Sequence, residues 1–326
     1  MDKEYIVSLT TYYKRFNSAH LAVKSLLAQK CSHPFAVHLY LIGSDIQKNG
    51  GVIPPHIETL TEEGLKIFVR NAGYGSYNKL FFALRENPGI AIITADDDIL
   101  YPDDMLERLT RKSSEHPECI ICNYGYMLSF DRQGRFRHYY ELLDVGESSR
   151  TQREYPTIRL FPVGVGGVLY PPNSLDDIIF DAEKFLRICP HADDIWFKIA
   201  SLRKNTLCAQ TDTQNIRLIT VEARQENSLT ETNVKMGMND RQFKACFEYY
   251  PDLLDKLKRE FEQDPDYDVY DDWINANSRG GAYFVWIFKY LLYKTLSAIP
   301  PMKMYMDVKT DKYARRLEAA KFLRKN

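Results

Sequence analysis

"GIAIITADDDILYP" (residues 89–102) is the stretch on which the fold turns. Its first part, 89–95, is small, branched and apolar, the composition of a central parallel strand buried on both faces. Asp96, Asp97 and Asp98 follow at once, then Tyr101-Pro102. A buried strand ending in consecutive acids delivers carboxylates to the carboxyl edge of a sheet, where open α/β sheets take their ligands. The plainer reading is an acidic turn before a helix capped by Asp103 or Asp104.

Outward from this strand, apolar runs alternate with helical periodicity. "YIVSLTTY" (5–12), "FAVHLYLIGS" (35–44) and "LKIFVRN" (65–71) read as strands. Between the first two, Phe16, Ala19, Val23, Leu26 and Leu27 recur at helical spacing, and "SYNKLFFALREN" (76–87) predicts a helix stopped by Pro88-Gly89. This order predicts a doubly wound α/β sheet. Downstream, "ECIICNYGYMLSF" and "TIRLFPVGVGGVLYPP" hold strand-like runs, the latter broken by Gly164, Gly166 and Gly167. Residues 192–205 read as a helix with two acids in its first turn, "TLCAQT" as a strand, and 239–262 as amphipathic helix.

Composition narrows the function classes. The formal charge is −1 over 326 residues, which argues against nucleic-acid binding by bulk electrostatics. Six cysteines lack a framework; Cys119 and Cys122 sit in a predicted strand with no second pair, so buried free thiols are the expectation. "MDKEYIVSL" lacks the basic and long apolar regions of a signal peptide, which gives a cytoplasmic expectation.

Four constellations can carry chemistry. Carboxylates crowded on one turn stay ionised most readily beside a cation, and hard oxygen donors suit Mg²⁺ or Mn²⁺ shared with phosphate oxygens. Asp96 and Asp98, two apart in an extended turn, can face one such site. In "HADDIWF" (191–197), Asp193 and Asp194 stand at a helix start, with Trp196 and Phe197 inserting into the core. Negative charge is stabilised there and a carboxylate can accept a proton, though dipole compensation alone explains most such acids. The glycines of "GVGGVLYPP" (164–172) let backbone approach a ligand or form a tight turn. Lys79, opening the helix after "GYGSYN", and Arg15, past the first strand, are candidate phosphate-facing cations if the strand ends converge.

The order of these pieces resembles bacterial glycosyltransferases of the GT-A fold, most like family-2-type enzymes of capsule, lipopolysaccharide or lipooligosaccharide synthesis, over roughly residues 5–240. The resemblance implies a Rossmann-like mixed sheet flanked by helices. It divides the chain into a catalytic domain, 1–240 (nucleotide-sugar half about 1–115, acceptor half about 116–240), and a helical C-terminal extension, 241–326. It implies a hexosyltransferase moving a sugar from a nucleoside-diphosphate donor, UDP-linked by expectation, to a glycan or lipid-linked hydroxyl, with inversion. Asp98 would be the main ligand of Mn²⁺ or Mg²⁺, with Asp96 on metal or nucleotide and Asp97 beside them. Thr10, Thr11 and Tyr12 would line the base, and Arg15 and Lys79 the ribose or diphosphate. Gly166, Gly167, Tyr170 and Trp196 would shape the donor-sugar and acceptor side. Asp193-Asp194 stands where the family has Glu-Asp, so either can be the base, with Asp194 the match; Tyr13 replaces a common proline. The competing readings are a metal-dependent phosphohydrolase or nucleotidyltransferase, and a non-catalytic polysaccharide-assembly scaffold.

Beyond this, 248–272 carries ten acids against three bases, and 303–326 eight bases against three acids. "AYFVWIFKYLLYKTLSAI" (282–299) is apolar and aromatic with Lys289 and Lys294 inside it. With the basic tail it suggests either peripheral attachment to the inner membrane leaflet or a helix packed on the catalytic domain.

Overall fold

A computed structural model describes residues 4–131, 133–139, 141–142, 155–212, 215–221 and 237–263. The expectations for 282–299 and the basic tail lie outside them. Among the described residues no helix is long and apolar enough to cross a membrane.

The chain starts with β1 (Tyr5–Thr10), whose side chains are buried except at its last residue, and α1 (Phe16–Leu27), which buries Phe16, Ala19, Val23 and Leu26. β2 (Phe35–Ile42), the short helices α2 (Gly43–Lys48) and α3 (Pro55–Glu58), and β3 (Leu65–Arg70) follow. Then come α4 (Asn78–Glu86), β4 (Ala91–Thr94), β5 (Ile99–Leu100) and α5 (Met105–Glu115). The second half supplies β6 (Ile120–Cys122), β7 (Gly125–Met127), β8 (Leu160–Pro162) and β9 (Val168–Tyr170). It ends with α6 (Ala182–Ile188), α7 (Asp193–Lys204), β10 (Cys208–Gln210), β11 (Ile219–Thr220), α8 (Met238–Tyr249) and α9 (Pro251–Glu262).

Among the described residues these strands build a seven-stranded sheet in the order β10-β6-β9-β4-β1-β2-β3. β1 pairs in parallel with β2 and β4, β2 with β3, and β6 with β10; β9 runs antiparallel between β4 and β6. The α/β sheet read from the alternating pattern is present, and the antiparallel β9 makes it the mixed sheet that the resemblance implies. Successive side chains of a strand point to opposite faces. Thus Val7, Leu9 and Ile93 join one core with α1 and α5, while Ile6 and Ile92 join the other with α4 and α7.

Two elements differ from the sequence reading. "ECIICNYGYMLSF" is two strands in two sheets, because Asn123 between them binds elsewhere: its Nδ2 donates to the carbonyls of Met105 and Gly166. The helix foreseen over 239–262 is two, divided at Pro251, which cannot continue α8's hydrogen-bond ladder and instead starts α9. The domain edge drawn at residue 240 falls within α8, whose Phe243 and Cys246 lie in the same core as Ile92.

Candidate functional site

β4 sits beside the antiparallel β9 and delivers Asp96–Asp98 to the carboxyl edge of the sheet. The turn is pinned at both ends. The Asp96 N–H donates to the Tyr101 phenol oxygen (2.8 Å), and Val221 N–H donates to the Asp98 carbonyl (2.8 Å). The three side chains then diverge. Asp97 is buried and meets Arg15, whose guanidinium donates to Oδ1 at 2.5 Å and also pairs with Asp98 at 3.1 Å. Asp96 pairs with Lys79 at 2.7 Å. Burial, reinforced by the Asp96 charge, pushes the Asp98 carboxyl up to about 6.

The second acidic pair arrives from the other half of the chain. Asp193 and Asp194 open α7, and Asp193 lies 3.1 Å from the same Lys79 ammonium. Asp194 binds the backbone instead, its Oδ2 accepting the Gly164 N–H at 3.0 Å, while its charge still feels Lys79. A Cβ at Gly164 would stand 2.8 Å from Asp194 Oδ1 and 3.2 Å from Lys79 Nζ, so any larger residue there would displace these side chains. Burial first, and then the charge of Asp193, raises the Asp194 carboxyl to about 7, against the pull of Lys79. Two acidic motifs from opposite ends of the fold thus share one buried ammonium.

The remaining candidates scatter. Thr10 donates its hydroxyl to the Tyr40 carbonyl (2.9 Å), Thr11 is buried, and Tyr12 is exposed with its ring centroid 5.8 Å from the Arg15 guanidinium carbon. Gly166 packs on Tyr124, whose backbone nitrogen would lie 2.9 Å from an added Cβ, and Gly167 (φ +85°) lies against Met105. Both shape the turn between β8 and β9. Tyr170 is nearly buried against Phe197, within the field of Asp194. Trp196, expected on the substrate side, is core instead: it is fully buried, and Nε1 donates to the Ile178 carbonyl at 3.2 Å. Lys79, expected beside a ribose or diphosphate, is buried between carboxylates. Sequence reasoning noted Gly164 within the glycine run without giving it a role of its own, and passed over Tyr139. Gly164 was visible as the first glycine of the dense run; Tyr139, buried within the field of Asp194, had no local signal.

Among the described residues no three His, Cys, Asp or Glu side chains are placed to hold a metal ion by themselves. The oxygen donors Asp96 and Asp98 fit a hard divalent ion that takes its other ligands from a phosphate. Among the described residues the two acidic motifs form ion pairs with two cations, Arg15 on Asp97 and Asp98 and Lys79 on Asp96 and Asp193.

No family model matches the chain, and no curated protein does. It is similar to solved structures at low identity. One is a mannosyltransferase from Pyrobaculum calidifontis in complex with GDP-mannose and Mn²⁺: 14% identity, 99% of this chain and 87% of that one, TM-score 0.45. Another is residues 1–349 of S. aureus TarS in complex with UDP: 13% identity, 99% and 92% covered, TM-score 0.40. A third is an apo UDP-glucose pyrophosphorylase: 11% identity, 77% and 99% covered, TM-score 0.40.

Proposed function

We propose that the protein is a GT-A-type glycosyltransferase that moves a sugar from a nucleoside-diphosphate donor, UDP-linked, to a hydroxyl of a glycan or lipid-linked acceptor of bacterial surface polysaccharide, with inversion. The observation that carries the reading is the meeting of Asp96–Asp98 with Asp193-Asp194 around one site. One group of carboxylates at the leaving-group side and another at the acceptor side is what such a transfer requires.

The roles divide by partner. Asp98 and Asp96 would hold Mn²⁺ or Mg²⁺, which when bound offsets the charge that develops on the departing diphosphate. Arg15 pairs with Asp97, offsetting part of the upward push that burial gives its carboxyl, and reaches Asp98 as well. Asp193 is tied to Lys79, which leaves Asp194 as the base. A carboxyl raised to about 7 has a basicity near the working pH and can take the acceptor hydroxyl's proton as its oxygen attacks the anomeric carbon. Tyr12 would lie against the nucleotide base, and Tyr170 would bound the acceptor side.

The test is calorimetry with UDP and Mn²⁺ together with a transfer assay over a panel of nucleotide sugars. Asp98→Ala should abolish metal-assisted UDP binding. Asp194→Ala should bind UDP as wild type does and lose transfer by about 100-fold or more. Unchanged transfer in both variants refutes the assignment.

A further inference from the structure

We propose that Lys79 is a positioning residue for the transfer step: a buried strut that holds the start of α7 against the end of β4 and so sets where Asp194 stands. The proposal rests on the glycosyl-transfer reading above and goes beyond it, since that reading needs Asp194 but says nothing of what places it.

The strut is anchored at its root. The Lys79 carbonyl accepts the Ser8 hydroxyl at 2.5 Å, and Ser8 is fully buried in β1, one of the sheet's inner strands. The side chain runs inward with 5% of its surface exposed and ends between Asp96, at 2.7 Å, and Asp193, at 3.1 Å. Consecutive residues of a helix point about 100° apart. Fixing Asp193 on the ammonium therefore also fixes the bearing of Asp194, which the Gly164 N–H then receives. Gly164 closes the junction from the third side, with no space for a side chain against either group. Three segments remote in sequence meet at one ammonium: the end of β4, the start of α7 and the turn before β9.

A diphosphate ligand has to present its charge to the cleft. Lys79 is enclosed and already faces two carboxylates, so its contribution is geometric. Burying an ammonium is costly unless paired, and such a group is retained where it fixes one arrangement of its partners. Misplacement of a reacting group by about 1 Å costs about 100-fold in rate.

The test compares full-length wild type, Lys79→Met, and the double variant Lys79→Met/Asp193→Asn, which removes both charges of one pair. Lys79→Met should keep the dissociation constant for UDP without metal near wild type while kcat falls about 100-fold. The double variant should regain thermal stability but not kcat. Loss of metal-free UDP binding by about tenfold or more in Lys79→Met, a readout that does not pass through Asp96 and the ion, assigns the ammonium to the diphosphate and overturns the strut. Recovery of kcat in the double variant reduces Lys79 to charge balance and also overturns it. Hydrogen exchange needs no substrate: peptides covering 189–198 should exchange about tenfold faster in Lys79→Met, with distant peptides unchanged. No change there sinks the strut whatever reaction the site performs. A wild type that binds no nucleoside diphosphate sinks the transfer reading and the positioning role with it, while exchange still decides the strut.

Discussion

Asp194 shows how one residue can be both a cost and a tool. Its carboxyl is raised to about 7 chiefly because burial disfavours its charge, and secondly through repulsion from Asp193 beside it. The sign for stability follows. Between about pH 4 and pH 7 the folded protein holds a proton that the unfolded chain has released, so this group's contribution falls as pH rises through that window. Above about 7 its full penalty is present. Asp194→Asn removes the ionisable group, so its stability advantage over wild type in urea denaturation should grow from pH 5 to pH 8. Catalysis runs the other way, because a base must first lose its proton. We expect kcat/KM to rise with pH on a limb centred near 7. A profile flat from pH 5 to 8, or an advantage of Asp194→Asn that shrinks with pH, contradicts this account.

At the scale of elements, α7 explains why an acidic helix start can be rigid. Ile195, Trp196, Phe197, Ile199, Ala200 and Leu202 are all buried, so the helix is held on nearly every side rather than along one stripe. Trp196 stacks toward Phe185 and Tyr250 and satisfies its indole N–H on the Ile178 carbonyl. Trp196→Phe should therefore cost on the order of 1–3 kcal/mol of stability and leave donor and acceptor KM unchanged. A raised acceptor KM without a stability change would return Trp196 to the substrate side. The helix itself was legible from its spacing and its acids. The same pattern turned Trp196 and Phe197 into the core, where both lie; the added substrate-side expectation for Trp196 had no support in that spacing. The break inside "ECIICNYGYMLSF" was hidden: apolar composition favours one strand, and only the tertiary partners of Asn123 divide it.

Over the whole molecule, local pattern foretold the sheet and both acidic motifs, since each lies within a few residues of the strand or helix that carries it. Their junction was not foretold. Lys79 reads locally as a helix-opening lysine, and only the packing of α4 against β1 and of α7 near the sheet's edge brings Asp193 to it. The same packing continues past the acids into α8 and α9. The Tyr139 N–H donates to Asp240 (2.7 Å) and the His191 N–H to Gln242 (2.8 Å), so α8 ties the segment at Tyr139 to the turn that leads into α7. Phe261 near the end of α9 is 1% exposed, packs on Phe130 at 5.5 Å and lies under the Arg159 guanidinium at 4.8 Å. If the residues through 262 belong to the catalytic unit, Phe261→Ala should cost about 3–5 kcal/mol, the range for a buried phenylalanine. One cooperative urea transition should shift as a whole, followed alike by far-ultraviolet dichroism and by UDP binding. If α9 were an appended element, the variant would lose helical signal in a separate early step while UDP binding kept its wild-type midpoint.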